Sequence, residues 1–274
     1  MKKRVLFVSQ EINPFLPETE ISKTSRSLPQ LTQDNGKEIR IFMPRYGIVN
    51  ERRHQLHEVI RLSGMNLVVD DHDHPLIIKV ASIPQARMQV YFIDNDEFFR
   101  RKSFLKDNKG KLHTDSDERA IFFAKGVLET VKKLGWKPDI IHCHGWMASL
   151  LPLYLKKLYR DDPHFSDAKV VVSIYNQGFK GTLNKKLINK LEFDGIEESD
   201  AAVVSNPDYT NLMCLAAQNA DGIVSIGSDL EPDLEQCISH SSVPVLSNPG
   251  DGDVGAIYNK FYDKLLAESS VTTN

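Results

Sequence analysis

Apolar positions along the chain follow two alternating rhythms. Val5 to Ser9 is a short, unbroken apolar run, as expected of a strand covered on both faces in a parallel sheet. The polar stretch NPFLPETE follows. A helix is then predicted from about Ile21 to Leu31, where Ile21, Leu28 and Leu31 fall near one face. After DNG a second strand runs from Ile39 to Met43 and ends at Pro44. Strand, helix and strand within some forty residues make one βαβ unit, whose crossover should be right-handed. Between Leu56 and Asp94 the segments LHEVIRLSG, MNLVVDD, HPLIIKVASI and MQVYFIDN alternate or run apolar over strand lengths, and several antiparallel strands are expected. FFRRKSFLKDNKGK reads as a charged surface loop.

From Asp117 the rhythm becomes helical. Ala120, Phe123, Val127, Val131 and Leu134 recur at helical spacing, with Gly135 as the stop. PDIIHCH then reads as a strand, Trp146 to Tyr159 as a helix, AKVVVSI as a strand, Tyr209 to Ala217 as a helix and NADGIVSIG as a strand. A closing helix from about Gly255 to Ala267 carries Ile257, Phe261, Leu265 and Leu266 on one side. The alternation predicts an α/β fold with a doubly wound, mainly parallel sheet. It forms a single domain over residues 1–268, with an irregular strand-rich insertion at about 50–95 and a loose tail at 269–274. Ligands of such sheets gather beyond the carboxyl ends of the strands, where strand order reverses.

Composition narrows the function classes. The 274 residues should bury roughly 70 to 75% of the surface that the unfolded chain exposes. Lys and Arg number 34 against 37 Asp and Glu, a net charge of −3, so no nucleic-acid partner is expected; KKLINK and YLKK read as solvated helix faces. No segment approaches the roughly 18 apolar residues of a membrane span, and MKKRVLFVSQE reads as a first strand rather than a leader. Cys143, Cys214 and Cys237 are odd in number and far apart, which suits reduced thiols and a cytoplasmic setting.

The chemistry-bearing stretch is IIHCHGWMASLLPLYLKK, Ile140 to Lys157. His142, Cys143 and His144 are too close together for a zinc spacing, so no metal is expected. Strand alternation turns Cys143 away from both histidines, as a small packing group. His142 and His144 stand at a strand end before a helix, where they either donate to a ligand or support one that does. Met147 joins Leu150, Leu151, Tyr154, Leu155 and Leu158 on one apolar stripe.

Six segments together resemble the N-terminal catalytic domain of bacterial glycogen synthases and plant starch synthases. They are RVLFVSQEINPF, IRIFMPRYG, VYFIDN, SDERAIFF, GWKPDIIHCHGWMASLLPLYLK and KVVVSIYNQGFKG, and their order and approximate spacing match too. The resemblance implies the Rossmann-like half of a GT-B glycosyltransferase, which places the acceptor glucan largely on this half and the nucleotide against the other. It implies glucosyl transfer from ADP-glucose or UDP-glucose to an α-1,4-glucan, no other cofactor, and a second subunit or domain supplying the opposite half.

Departures from the family pattern are equally specific. Where the family has Lys and then Thr-Gly-Gly-Leu, this chain has Pro17, Glu18, Thr19, Glu20 and Ile21. Carboxylates there oppose a diphosphate, and residues bearing Cβ are less permissive than glycine. The Asp and His of HCHDWHTAL become Gly145 and Met147, and Thr-Ile-His-Asn becomes Ser173, Ile174, Tyr175 and Asn176. His142, His144, Trp146, Met147, Tyr175, Asn176 and Phe179 are therefore the candidate substrate contacts, with Pro17 to Glu20 as a degenerate donor loop. Two functions are expected to compete: a glycogen or starch synthase-like glucosyltransferase, and a noncatalytic domain binding glucan or a partner through Trp146, Tyr175 and Phe179. An oxidoreductase is set aside, because SQEINPFLPETE lacks the G-x-G-x-x-G fingerprint.

Overall fold

The computed structural model describes residues 2–84, 86–227, 230–250 and 252–271. Strand β1 (Arg4–Ser9) leads through a loop to helix α1 (Glu20–Asp34), and β2 (Glu38–Pro44) completes the first crossover. Then come α2 (Glu51–His54), β3 (His57–Glu58), β4 (Met65–Val69), β5 (His72–Ile83), β6 (Met88–Asp94) and α3 (Asp96–Phe99). The second half opens with α4 (Ser116–Lys133) and β7 (Ile140–His144), followed by a 3-10 turn at Trp146–Ala148 and α5 (Leu151–Lys157). After β8 (Lys169–Tyr175) come α6 (Leu187–Phe193), α7 (Glu198–Ala201), a 3-10 turn at Ala202–Ser205 and α8 (Tyr209–Gln218). The described chain finishes with β9 (Gly222–Ile226), α9 (Pro232–Ser239), β10 (Val245–Ser247) and α10 (Val254–Val271).

The strands form one sheet in the order β10-β9-β8-β7-β1-β2-β6-β5-β3, with β4 paired to β5. From β10 to β6 every pairing is parallel, and the pairings of β5 with β6, β3 and β4 are antiparallel. The expected strand-rich insertion is therefore an extension of the main sheet, because β6 pairs parallel with β2 and carries β5 on its far edge. Chain order reverses between β1 and β7: the first crossover leaves β1 toward β2, and later strands build on the opposite side. Side chains alternate faces along each strand, so Phe7, His142 and His144 share one face while Cys143 projects to the other. Helix α10 covers the histidine face and packs on α1; α4, α5 and α8 pack together.

Several local expectations change. The helix predicted over Trp146 to Tyr159 splits into the 3-10 turn and α5, with Pro152 in the first turn of α5. Its apolar stripe is buried except for Leu158, which is exposed. Of LHEVIRLSG only His57 and Glu58 form a strand, and Ile60 is exposed. The charged loop after β6 is anchored in the core: Phe98 and Phe99 are buried, and Phe104 packs edge-on to Tyr46 at 4.7 Å. Helix α10 continues to Val271, three residues into the segment expected to be loose, and residues 272–274 lie outside the described residues.

Lys190, expected on a solvated face, is instead only 3% exposed. Its ammonium lies 2.7 Å from Asp117 and also bonds Glu118, which ties α6 to the first turn of α4. Burial raises the Asp117 carboxyl above its ordinary range, and the Lys190 ammonium opposes that shift. Removing the ammonium leaves a carboxylate in the core without its counter-charge. Lys190→Met should lower the unfolding free energy by about 3 kcal/mol at pH 7. The deficit should shrink at lower pH, where a protonated Asp117 no longer needs a cation; urea titrations at two pH values check both statements.

Candidate functional site

Beyond the carboxyl ends of β1 and β7, backbone and polar side chains tie the loops together. Leaving β1, the Gln10 amide donates to the His144 carbonyl at 2.9 Å, which ties the first loop to the end of β7. The Ser9 hydroxyl donates to the Glu11 carbonyl at 2.8 Å, and so fixes the turn that buries the Glu11 side chain. One Glu11 carboxylate oxygen accepts from the Gln177 amide at 2.9 Å and from the Thr19 hydroxyl. The other accepts from the Gln10 amide at 3.4 Å. Glu11 and Gln177 thus join the loops after β1 and β8 in one polar cluster. Neither was among the sequence candidates, although an acid two residues past the first, largely apolar strand was the available signal.

Thr19 has a second task. It caps α1: its hydroxyl accepts from the Ser22 amide at 3.0 Å, and the Ser22 hydroxyl accepts from the Thr19 amide at 2.8 Å. The reciprocal bonds satisfy donors that a phosphate would otherwise use at a helix N-terminus. Of the neighbouring residues, Glu18 is exposed and pairs with Lys23 at 2.6 Å. The Pro17 carbonyl accepts from the Ser22 hydroxyl at 3.0 Å. Glu20 lines a cavity of about 460 Å³ together with Thr24, Ser27, Asn248 and Tyr258.

The histidines lie beneath this surface. His142 is fully buried, with Nδ1 2.7 Å from the Tyr262 hydroxyl of α10 and Nε2 2.8 Å from the Ser173 hydroxyl of β8. His144 is equally buried; its Nδ1 lies 2.8 Å from the Tyr175 hydroxyl, and its Nε2 has no partner among the described residues. Their ring centroids are 4.0 Å apart. Burial pushes His142 well below the ordinary value of 6.5, with His144 adding to the effect, and burial pushes His144 down to about 3. Both are neutral near pH 7, and they pin α10 and β8 to β7.

The other candidates divide by exposure. Tyr175 is buried and its hydroxyl is engaged with His144, so its ring offers no face to a sugar. Trp146 is also buried, edge-on to the half-buried Phe179 at 5.0 Å. Met147 is fully buried, and its amide meets the Gln10 side-chain oxygen at 3.4 Å. Asn176 is exposed beside Gly227, at the crevice. What this end of the sheet presents to solvent is polar: Asn176 and the half-buried Gln177, with the buried Glu11 behind them. Among the described residues no group of three or more His, Cys, Asp or Glu side chains could hold a metal ion.

Gly145 explains how the loops close so tightly. Its φ is +82°, and an added Cβ would stand 2.7 Å from the Cβ of Gln10. Glycine adopts that backbone without strain, whereas other residues rarely do. Gly145→Ala should cost roughly 1 to 3 kcal/mol in denaturant unfolding, and adding Gln10→Gly should recover part of it.

The histidines predict a pH dependence. In the unfolded chain they take protons near pH 6.5, whereas the folded protein keeps them neutral to much lower pH. The folded state therefore binds fewer protons. Stability is fully present above about pH 6.5 and is lost as pH falls toward the folded values. Denaturant titrations between pH 7 and 5 should show losses approaching about 1.4 kcal/mol per pH unit for each histidine, and His144→Asn should remove one such contribution.

Comparison with known proteins accounts for this architecture. Residues 4–228 match the family model for the starch synthase catalytic domain. Glycogen synthase from Chlorobium limicola is 40% identical over 220 residues, which cover 80% of this chain and 44% of that protein. Glycogen synthase from Chlorobium luteolum is 38% identical over 242 residues, covering 88% of this chain and 48% of that protein. The chain thus spans about half the length of these curated relatives. The catalytic domain of starch synthase IV from Arabidopsis thaliana, solved bound to ADP and acarbose, superimposes with a TM-score of 0.74 at 17% identity, covering 90% of this chain and 51% of that one. That likeness establishes a common fold, and the family match extends over both sides of the β1/β7 switch point: the chain belongs to the starch synthase catalytic domain family.

Proposed function

We propose that this chain is the acceptor-side half of a glucan synthase that transfers glucosyl units from ADP-glucose or UDP-glucose to an α-1,4-glucan. The observation that carries the reading is the family match over residues 4–228, which spans the β1/β7 switch point, where Glu11, Gln10 and Gln177 form one polar cluster. Doubly wound sheets bind ligands at such a point. A carboxylate oriented by amides, flanked by the exposed Asn176, suits the hydroxyls of a sugar acceptor.

Transfer requires the departing diphosphate to be stabilised and the acceptor hydroxyl to be held against the anomeric carbon. Here the chain's own residues favour the second task. The loop from Pro17 to Glu20 carries two carboxylates, and like charges about 4 Å apart repel by roughly 4 kcal/mol at an effective dielectric near 20. The diphosphate is therefore held by the donor-side half. That half comes from a second domain or a partner subunit, and it also excludes water from the reacting centre. A cytoplasmic setting, where sugar nucleotides are made, belongs to the same proposal.

Radiolabel transfer from each sugar nucleotide into glycogen tests this, using the chain alone and with the donor-side half of a glycogen synthase added in trans. Incorporation is expected with the added half, and Glu11→Gln should raise the acceptor KM more than it lowers kcat. No incorporation in any combination would sink the transferase reading. Retardation of the chain in glycogen-containing gels, without transfer, would point to a noncatalytic glucan-binding domain instead.

A further inference from the structure

Cys214 and Cys237 are 23 positions apart in sequence, yet the fold brings them together. Helices α8 and α9 pack side by side, and both cysteines line one open cavity of about 500 Å³ with Gln218, Asp233, Gln236 and His240. The two thiols face this one cavity, and the Cys214 thiol, donating toward Cys237, lowers the Cys237 pKa from the usual thiol value, while burial works the other way. The same interaction raises Cys214, with burial and the Asp208 and Asp233 carboxylates adding to it. Cys214 is buried and Cys237 half-exposed, whereas Cys143 is buried in β7. Helix α9, which carries Cys237, lies beyond the residues matched to the family.

We propose that Cys214 and Cys237 form a reversible dithiol–disulfide pair, oxidised by a low-molecular-weight disulfide that enters the cavity between α8 and α9. The half-exposed Cys237 thiolate attacks one sulfur of the small disulfide. A mixed disulfide forms, and the first small thiol leaves with a proton. The Cys214 thiolate then attacks the Cys237 sulfur and expels the second small thiol. In sum, two protein thiols and one small disulfide become one protein disulfide and two small thiols, so electrons and protons balance without another oxidant. The asymmetry of the pair sets the order: the accessible, more acidic Cys237 attacks first and the shielded Cys214 resolves. The bond would staple α9 to α8. It would thereby restrain the segment leading into β10 and, just past that strand, Asn248, whose side-chain oxygen accepts from the Gly227 amide at 2.9 Å.

The test uses the folded, fully reduced chain incubated with glutathione disulfide, followed by intact-mass measurement and peptide mapping without reductant. The expected result is a loss of two hydrogens and a peptide linking Cys214 to Cys237, reversed by dithiothreitol. Cys143 should remain a thiol that reacts only after denaturation. Cys214→Ser should trap a glutathione adduct on Cys237, whereas Cys237→Ser should gain an adduct at Cys214 about ten-fold more slowly. Stable glutathione adducts on the unsubstituted chain, a bridge between two copies, or no reaction at either cysteine would each overturn the proposal.

Discussion

Strand β1 is buried on both faces and has a parallel neighbour on each side, and this constraint organises the molecule. A strand so placed offers solvent only its carboxyl end, so chemistry entering from this part of the sheet must act through the residues just after Ser9. Its register against β7 sets Phe7 beside His142 and Ser9 beside His144, which fixes the face of both histidines. A one-residue slip would exchange the two faces, moving Cys143 under α10 and the histidines to the opposite side. The Gln10 bond to the His144 carbonyl holds this register where the strands end.

Much of the parallel core was legible because its strands are continuous apolar runs and its longer helices carry a clear period. Helix α4 and strands β1, β2, β7, β8 and β9 all follow from those rhythms. The edges were not legible. Strand β10 has only three residues, none of them buried, and α9 opens on a proline and buries only Leu234 and Ile238. Lys190 misled for a different reason: a lysine in a basic run reads as solvated until the fold supplies Asp117 and Glu118 from residues more than seventy positions away.

Sequence placed the candidate contacts at and just beyond the ends of β7 and β8, and it overestimated which of those side chains reach the surface. His142, His144, Trp146, Met147 and Tyr175 lie where the motif placed them along the chain, yet each faces inward. Pattern identifies the face of a strand but cannot say whether a helix covers it. Here α10 does, and Tyr262 completes the bonding of His142. Glu11 escaped notice because its significance depends on Gln177 and Thr19, partners gathered from two other loops. The family resemblance supplied what periodicity could not, namely the expectation that this half works with another across a cleft.

The close approach of the loops at Gly145 and Gln10 couples two positions that lie far apart in the chain. Any side chain placed at 145, aspartate included, would set its first carbon 2.7 Å from the Gln10 Cβ and demand a backbone, φ +82° and ψ 160°, that belongs almost exclusively to glycine. Position 145 therefore accepts a larger residue only in company with a change in the loop after β1.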